Sequence, residues 1–386
     1  MNFQLVLIWP HCGIQRNNRK SMVKENVLYT KTQFKKEFAR LIEKTSIPNT
    51  FSQEEFVKVL RELHDFVQPH IPAKLFRFRK CGIDELISFE QGNIPMCVAY
   101  KFSDKYDSNV FYDYKTLLDR FSTAFSTTMS YIVQIARSNP AAFPNSPIKS
   151  KLLELINSNT TDSEIVNSLR TDYDGFLKQM KSEIQKQEGW PRNNKYTKIG
   201  CFTEKIDSKF MWDHYADGYK GFALEYDFRK WYELNVNLYP VIYSPQMLDA
   251  TEMIDRICIT DYVDSIQPEE AYKEVFEIFK TQLHQFYPID MMYFIKMYLY
   301  KDKADYSHER EWRMLKFDRE SIDQDYLSIP DMGYLKAIYY GPHMEARYKT
   351  HLRSIAKAKG IREYDVVLDR NSRKYSLKVV PLRKSK

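Results

Sequence analysis

No apolar run in this chain of 386 residues approaches the roughly 20 needed to cross a bilayer, so the sequence offers no candidate membrane span. The opening MNFQLVLIWPHCG has neither a basic leader nor a small-residue cleavage site and does not read as a signal peptide. Cysteine is sparse. Cys12, Cys81, Cys97, Cys201 and Cys258 are odd in number and scattered, with no CxxC spacing to suggest zinc or redox chemistry, and a reducing cytoplasm fits them. GxGxxG, the P-loop, GxSxG, HExxH and the kinase signature are also missing, which removes the common nucleotide-binding and hydrolase motifs. There is no repeat period and no low-complexity tract.

What is present can fill a core: 43% of residues are apolar and 15% aromatic, enough for one large or two ordinary domains. The net charge of +7 suggests nucleic acid until it is located. From Glu345 to Lys386 there are 13 lysines and arginines against 4 acidic residues, a net of +9, so the rest of the chain is slightly acidic. Nucleic-acid contact by this C-terminal tail is therefore one expectation, and a solvated basic face is the other.

FSQEEFVKVLRELHDFV carries a capping box, Ser52 with Glu55, and predicts an amphipathic helix ended by Pro69 and Pro72. AKLFRFRKCG alternates as a strand, residues 83–92 read as a short helix closed by Gly92, and IPMCVAYKF reads as a second strand. Helical patterns follow from Tyr114 to about Lys186, broken at Pro140, Pro144 and Pro147, and again from Pro268 to about Lys301. EWRMLKF, LKAIYYG, IREYDVVLD and YSLKVV are strand-like, with a helix from Met344 to Lys359 ending at Gly360. The expected architecture is α+β, a split and mostly antiparallel sheet with large helical insertions at about 114–190 and 246–301. An N-terminal helical extension (1–72) precedes the α+β core domain (73–386).

The stretch CFTEKIDSKFMWDHYADGYKGFALEYD, from Cys201 to Asp227, places Trp212, His214, Tyr215 and Tyr219 at one helix end. Ser208 can cap that helix, Gly218 can end it and Gly221 can release the chain into a strand. His214 is a candidate base, acid or phosphate donor, or a hydrogen-bonded structural residue. Tyr215 can stack a ring or donate a hydrogen bond, or be a satisfied buried tyrosine. Glu309 and Glu311, two apart before EWRMLKF, would share a strand face and meet one ligand, or form an ion-pair ladder with Arg310 and Arg313. Arg77 and Arg79 share one strand face and can hold a diphosphate or face solvent. Asp104 and Asp107 sit past a strand end, where aspartates cap turns or ligate metal.

The 201–227 stretch resembles the central signature of a bacterial family known as domain of unknown function 2971, whose members carry CFSE, LMWxHYA and KGFxLEFD segments. LFRFRK is similar to its opening strand, FSDKYD to its FNDPFD motif, with Ser103 and Lys105 in place of Asn and Pro, and HEREWR to its ExEWR motif. The order of these parts is also similar to that in ADP-ribosyltransferases. That likeness implies NAD as a substrate, with Arg77 or Arg79 on its phosphate or ribose and Tyr215, beside Trp212, against nicotinamide. Glu311 would then stabilise the oxocarbenium ion and Glu309 orient the acceptor.

Three readings stay open. The first is an ADP-ribosyltransferase-like enzyme or NAD glycohydrolase, in bacterial defence or as a toxin. The second is a metal-dependent nuclease, with Asp104, Asp107, Glu204, Asp207 and Glu311 as ligands for Mg or Mn and His214 as base, although no metal-binding signature is present. The third is a non-enzymatic sensor or protein-interaction module.

Overall fold

The computed structural model describes residues 29–138 and 153–382, apart from positions 157, 159, 162–163, 166–167, 169, 188, 231–235, 266–272, 319 and 321. Cys12, the prolines at 140, 144 and 147, Pro268 and the last four tail residues lie outside the described residues.

Ten strands form one sheet: β1 (Leu75–Arg79), β2 (Asn93–Cys97), β3 (Thr197–Thr203), β4 (Phe222–Tyr226), β5 (Val236–Pro240), β6 (Glu311–Phe317), β7 (Tyr326–Pro330), β8 (Leu335–Tyr340), β9 (Arg362–Leu368) and β10 (Leu377–Pro381). Their order is β7-β2-β3-β1-β4-β8-β9-β10, and the other edge of β3 carries β6, then β5. Among the described residues every neighbouring pair is antiparallel except β8 with β9. The fold is thus the α+β architecture expected, and the split falls at β3. Its one edge meets β2 at Ile199 and β1 at Thr203, so two arms of sheet diverge from a single strand.

Register fixes which side chains share a face, because paired residues of antiparallel strands point the same way and alternate along each strand. Phe76 pairs with Thr203 and Glu225, and Thr203 with Glu311. Phe76, Phe78, Ala223, Glu225, Cys201, Glu311 and Arg313 therefore share one face. Arg77, Arg79, Leu224, Phe202 and Trp312 occupy the other.

Helices cover this sheet. Capping boxes at Thr30 with Gln33 and Ser52 with Glu55 start α1 (Lys31–Lys44) and α2 (Gln53–Val67). α1 packs on β6 and β5: Phe34 stacks on Trp312 at 6.2 Å and Phe38 on Tyr239 at 5.8 Å. α3 (Ile83–Gln91) ends at Gly92, whose φ of 70° is left-handed as a helix stop requires. The two insertions are one helical layer, because α4 (Tyr114–Ser138) and α5 (Arg170–Gln187) of the first pack on α7 (Thr251–Ser265) of the second, and α8 (Lys273–Phe286) joins α7.

Three sequence expectations change. The strand at IPMCVAYKF stops at Cys97, and Ala99–Lys101 form a 3-10 turn. The helix expected to run to about Lys301 ends at Phe286. Pro288 follows, the Asp290 carboxylate accepts the amides of Ile47 and Met292, pinning the break to the N-terminal extension, and only a single helical turn, Tyr293–Lys296, comes after it. Strands β3, β5 and β7 and helix α7 add to the elements expected.

Candidate functional site

Ser208 accepts the amide of Met211 and starts α6 (Lys209–Tyr215), and Gly218, with φ 58°, ends the turn that follows. Gly221 is required by a different constraint. A Cβ there would overlap the carbonyl oxygen of Arg79, so the 216–221 turn lies directly on the β1 backbone. α6 is anchored by Trp212, which is fully buried. Its indole N–H donates to the Ile206 carbonyl at 2.7 Å, and its ring meets Phe78 edge-on at 4.9 Å. With Trp212 turned into the core, Tyr215 on the last turn reaches outward over the sheet. The residue is 41% exposed, and its hydroxyl donates to Glu309 Oε1 at 2.9 Å.

Glu309 is presented by a 3-10 turn (Ser307–Glu309), after which Arg310 takes a left-handed φ of 49° and the chain enters β6 at Glu311. Thr203 holds the turn by donating its hydroxyl to the Glu309 carbonyl at 2.5 Å. The two glutamates thus converge through a turn and not through strand alternation. They meet at Lys301, whose ammonium lies 2.6 Å from Glu309 Oε2, 3.1 Å from Glu311 Oε2 and 3.6 Å from Asp107 Oδ2. Arg313 completes the cluster. Its guanidinium takes Glu311 at 2.8 Å, both Asp107 oxygens at 2.8 and 2.5 Å, and the Tyr298 carbonyl at 2.8 Å. Tyr243 accepts the Glu311 amide at 2.8 Å.

All five charged groups are buried, and three carboxylates against two cations leave one net negative charge. Burial would raise the Glu311 carboxyl, but Arg313 and Lys301 hold it well below the usual carboxylate range. Burial would likewise lower Lys301, and Glu311, Asp107 and Glu309 hold it above its ordinary value instead. Burial, then Glu309, raises the Tyr215 hydroxyl, and burial, then Glu311, raises the Cys201 thiol, which keeps both protonated at neutral pH. Half-buried Phe210 and the exposed rings of His214 and His308 form a ring patch beside this cluster, with Phe210 stacked on His214 at 4.0 Å and edge-on to His308 at 4.3 Å.

The structure brings together Tyr215, Glu309 and Glu311 of the residues picked from sequence. His214 points to solvent with Nδ1 3.1 Å from the Phe210 carbonyl, and Trp212 is a core residue, unable to face a cofactor. Arg77 and Arg79 are on the opposite face of the sheet from Glu311, so the single cavity expected of Arg77 or Arg79, Tyr215 and Glu311 does not form. Of the five proposed metal ligands only Asp107 and Glu311 come together, and both are taken by Lys301 and Arg313. Asp104 closes a turn by accepting the Tyr106 amide, Asp207 is exposed, and Glu204 is taken by Lys31, Lys35 and the Trp312 indole. The ladder expected of Arg310 and Arg313 is replaced by a buried network, with Arg310 exposed and outside it. Sequence reasoning passed over Lys301 and Tyr243 and left Arg313 as a surface charge. The one signal for Arg313 was its place two residues from Glu311 in HEREWR.

Among the described residues no helix is long and apolar enough to cross a membrane. In the basic C-terminal stretch Lys349, Arg353 and Arg362 are ion-paired to Asp365, Glu363 and Glu225. No curated protein and no solved structure matches the chain. Residues 211–314, which run from α6 into β6 and include Tyr215, Lys301, Glu309, Glu311 and Arg313, match the model of the family described as protein of unknown function (DUF2971).

Proposed function

We propose that the chain is an enzyme that breaks the N-glycosidic bond of NAD at the site capped by Tyr215. The observation that carries this reading is the hydrogen bond from Tyr215 to Glu309, which joins the middle motif to the glutamate pair over a cluster of net negative charge. As the bond between ribose C1′ and the nicotinamide nitrogen breaks, its electron pair leaves with neutral nicotinamide and positive charge develops on the ribose. A fixed, desolvated negative charge favours that state more than water does. Glu311, locked by Arg313, supplies the fixed charge. Glu309 orients the acceptor and takes its proton as the new C1′–O bond forms. The ring patch of Phe210, His214 and His308 gives the base a surface to stack on. The NAD diphosphate is not assigned to Arg77 or Arg79, which lie across the sheet.

The test is release of nicotinamide from NAD by the purified chain, with ADP-ribose either freed or attached to extract proteins. Loss of release in Glu309→Gln supports the reading. No release, together with no labelled protein in any extract, overturns it. A second reading, a sensor or protein-interaction module, is favoured by the saturation of Glu311 by its own cations, which leaves the exposed histidines of the ring patch for a protein partner. Stoichiometric capture of one partner that survives Glu309→Gln would support that alternative.

A further inference from the structure

The half-buried arginine pair of β1 lacks the acidic partners that other cations of the fold have. Lys301, Arg313, Lys35 and Lys296 each have a carboxylate within 4 Å, whereas among the described residues Arg77 and Arg79 have no ion pair or side-chain hydrogen bond. Arg77 Nη1 is fully buried without a hydrogen-bond partner. The guanidinium lies 5.6 Å over the Phe202 ring, with Gly200 beside it. An orphaned, charged donor in an apolar setting costs more than most single features of a fold, and two like charges on one strand face, about 7 Å apart along the chain, add to that cost.

The location also matters. β3 pairs with β2 at Ile199 and with β1 at Thr203, and along Gly200–Phe202 its edge on that side has no register partner among the described residues. The sheet opens at this point, and Arg77 reaches into the opening. Arg79 follows on the same face. Burial and then Arg77 lower its guanidinium to about 10, against the opposing effects of Tyr226 and of Glu85 on α3.

We propose that Arg77 and Arg79 form a binding site for a phosphate- or diphosphate-bearing small molecule, in the gap where the sheet splits and on the face opposite Tyr215 and Glu309. Two forked guanidiniums facing one way are matched to the oxygens of a diphosphate, and such an anion would satisfy the orphaned nitrogen and relieve the repulsion together. The site goes beyond the NAD-cleaving reading and does not depend on it.

Calorimetric titration of the full chain with inorganic pyrophosphate and with ADP, against sodium sulfate at matched ionic strength, tests this directly. The expected result is saturable binding of pyrophosphate or ADP but not of sulfate. Arg77→Gln and Arg79→Gln should each weaken it by about tenfold or more, the scale of a lost charge-assisted hydrogen bond. Arg347→Gln, which removes a positive charge from an exposed helix, should leave it unchanged. Tighter binding of ADP assigns a nucleotide, and tighter binding of pyrophosphate assigns the bare diphosphate. Absence of saturable binding to the unaltered chain overturns the site whatever the variants do, as does binding that survives both substitutions. Nicotinamide release is read separately, so failure here leaves that reading intact and failure there leaves this one.

Discussion

Tyr215 and Glu309 are 94 residues apart in the chain and joined by a 2.9 Å hydrogen bond across the open side of the sheet. Tyr215→Phe removes the donor and little else, because Lys301 still holds Glu309 at 2.6 Å. Urea unfolding should register a loss of about 1 kcal/mol, the net worth of an ordinary hydrogen bond. Nicotinamide release should fall by about tenfold or more if the hydroxyl helps place Glu309. An unchanged rate would reduce Tyr215 to a tether.

Arg313 neutralises two carboxylates at once, and among the described residues it is the cation nearest to Asp107. Arg313→Met should destabilise the chain by about 3–5 kcal/mol, because it leaves buried charge unpaired. Pairing the substitution with Asp107→Asn should recover part of that loss. If the single variant unfolds at the same urea concentration as the unaltered chain, the cluster is not the electrostatic centre described.

The pH dependence has a defined sign on both sides. The Glu311 carboxyl titrates below its unfolded value near 4.5, so its stabilisation is present above that pH and is lost as pH falls toward the folded value. Lys301 titrates above its unfolded value near 10.5, so its share is present below that pH and is lost as pH rises. Stability measured from pH 2 to 7 should therefore drop on the acid side, by up to about 1.4 kcal/mol per pH unit per group. Glu311→Gln should flatten that limb, and an acid limb of unchanged slope would count against the assignment.

Gly221→Ala puts a methyl group on the Arg79 carbonyl, where backbone meets backbone and neither side can yield cheaply. The expected cost is about 1–3 kcal/mol, as for overpacking a tight core. Gly218→Ala is strained by its left-handed φ and not by contact, since nothing lies within 4 Å of its added Cβ. The two variants separate close approach from backbone conformation when their melting temperatures are compared.

Local signals in the sequence carried most of the architecture. Capping boxes, glycine stops and period-two strands placed α1's neighbour α2, α3, α6, β1, β4, β6, β8, β9 and β10 because each is decided by residues within one turn or one strand. β3 escaped notice because Lys198 and Gly200 interrupt its apolar pattern, although Lys198 is buried and Gly200 faces Arg77. At the site, the pairing of Glu309 with Glu311 was legible but its cause was not, because a turn brings them together where their spacing suggested strand alternation, and the charges that hold them come from elsewhere. Asp107 and Arg313 are 206 residues apart, and no local pattern announces that they meet. Arg77 and Arg79 show the reverse case. Their shared face was legible, and which side of the sheet that face would occupy was not, since parity is set by pairing with β3 and β4.

The Asp107–Arg313 bond bears on how the chain is made. As a ribosome extends it, Asp107 and the helical layer that follows emerge long before Lys301 and Arg313 exist to balance it. Until then that carboxylate keeps its water, and the surface destined to close over it has to stay wet. The dry side of the sheet at β3 therefore seals late in synthesis, and a fragment ending before residue 313 keeps the early helices without the charge that lets them settle.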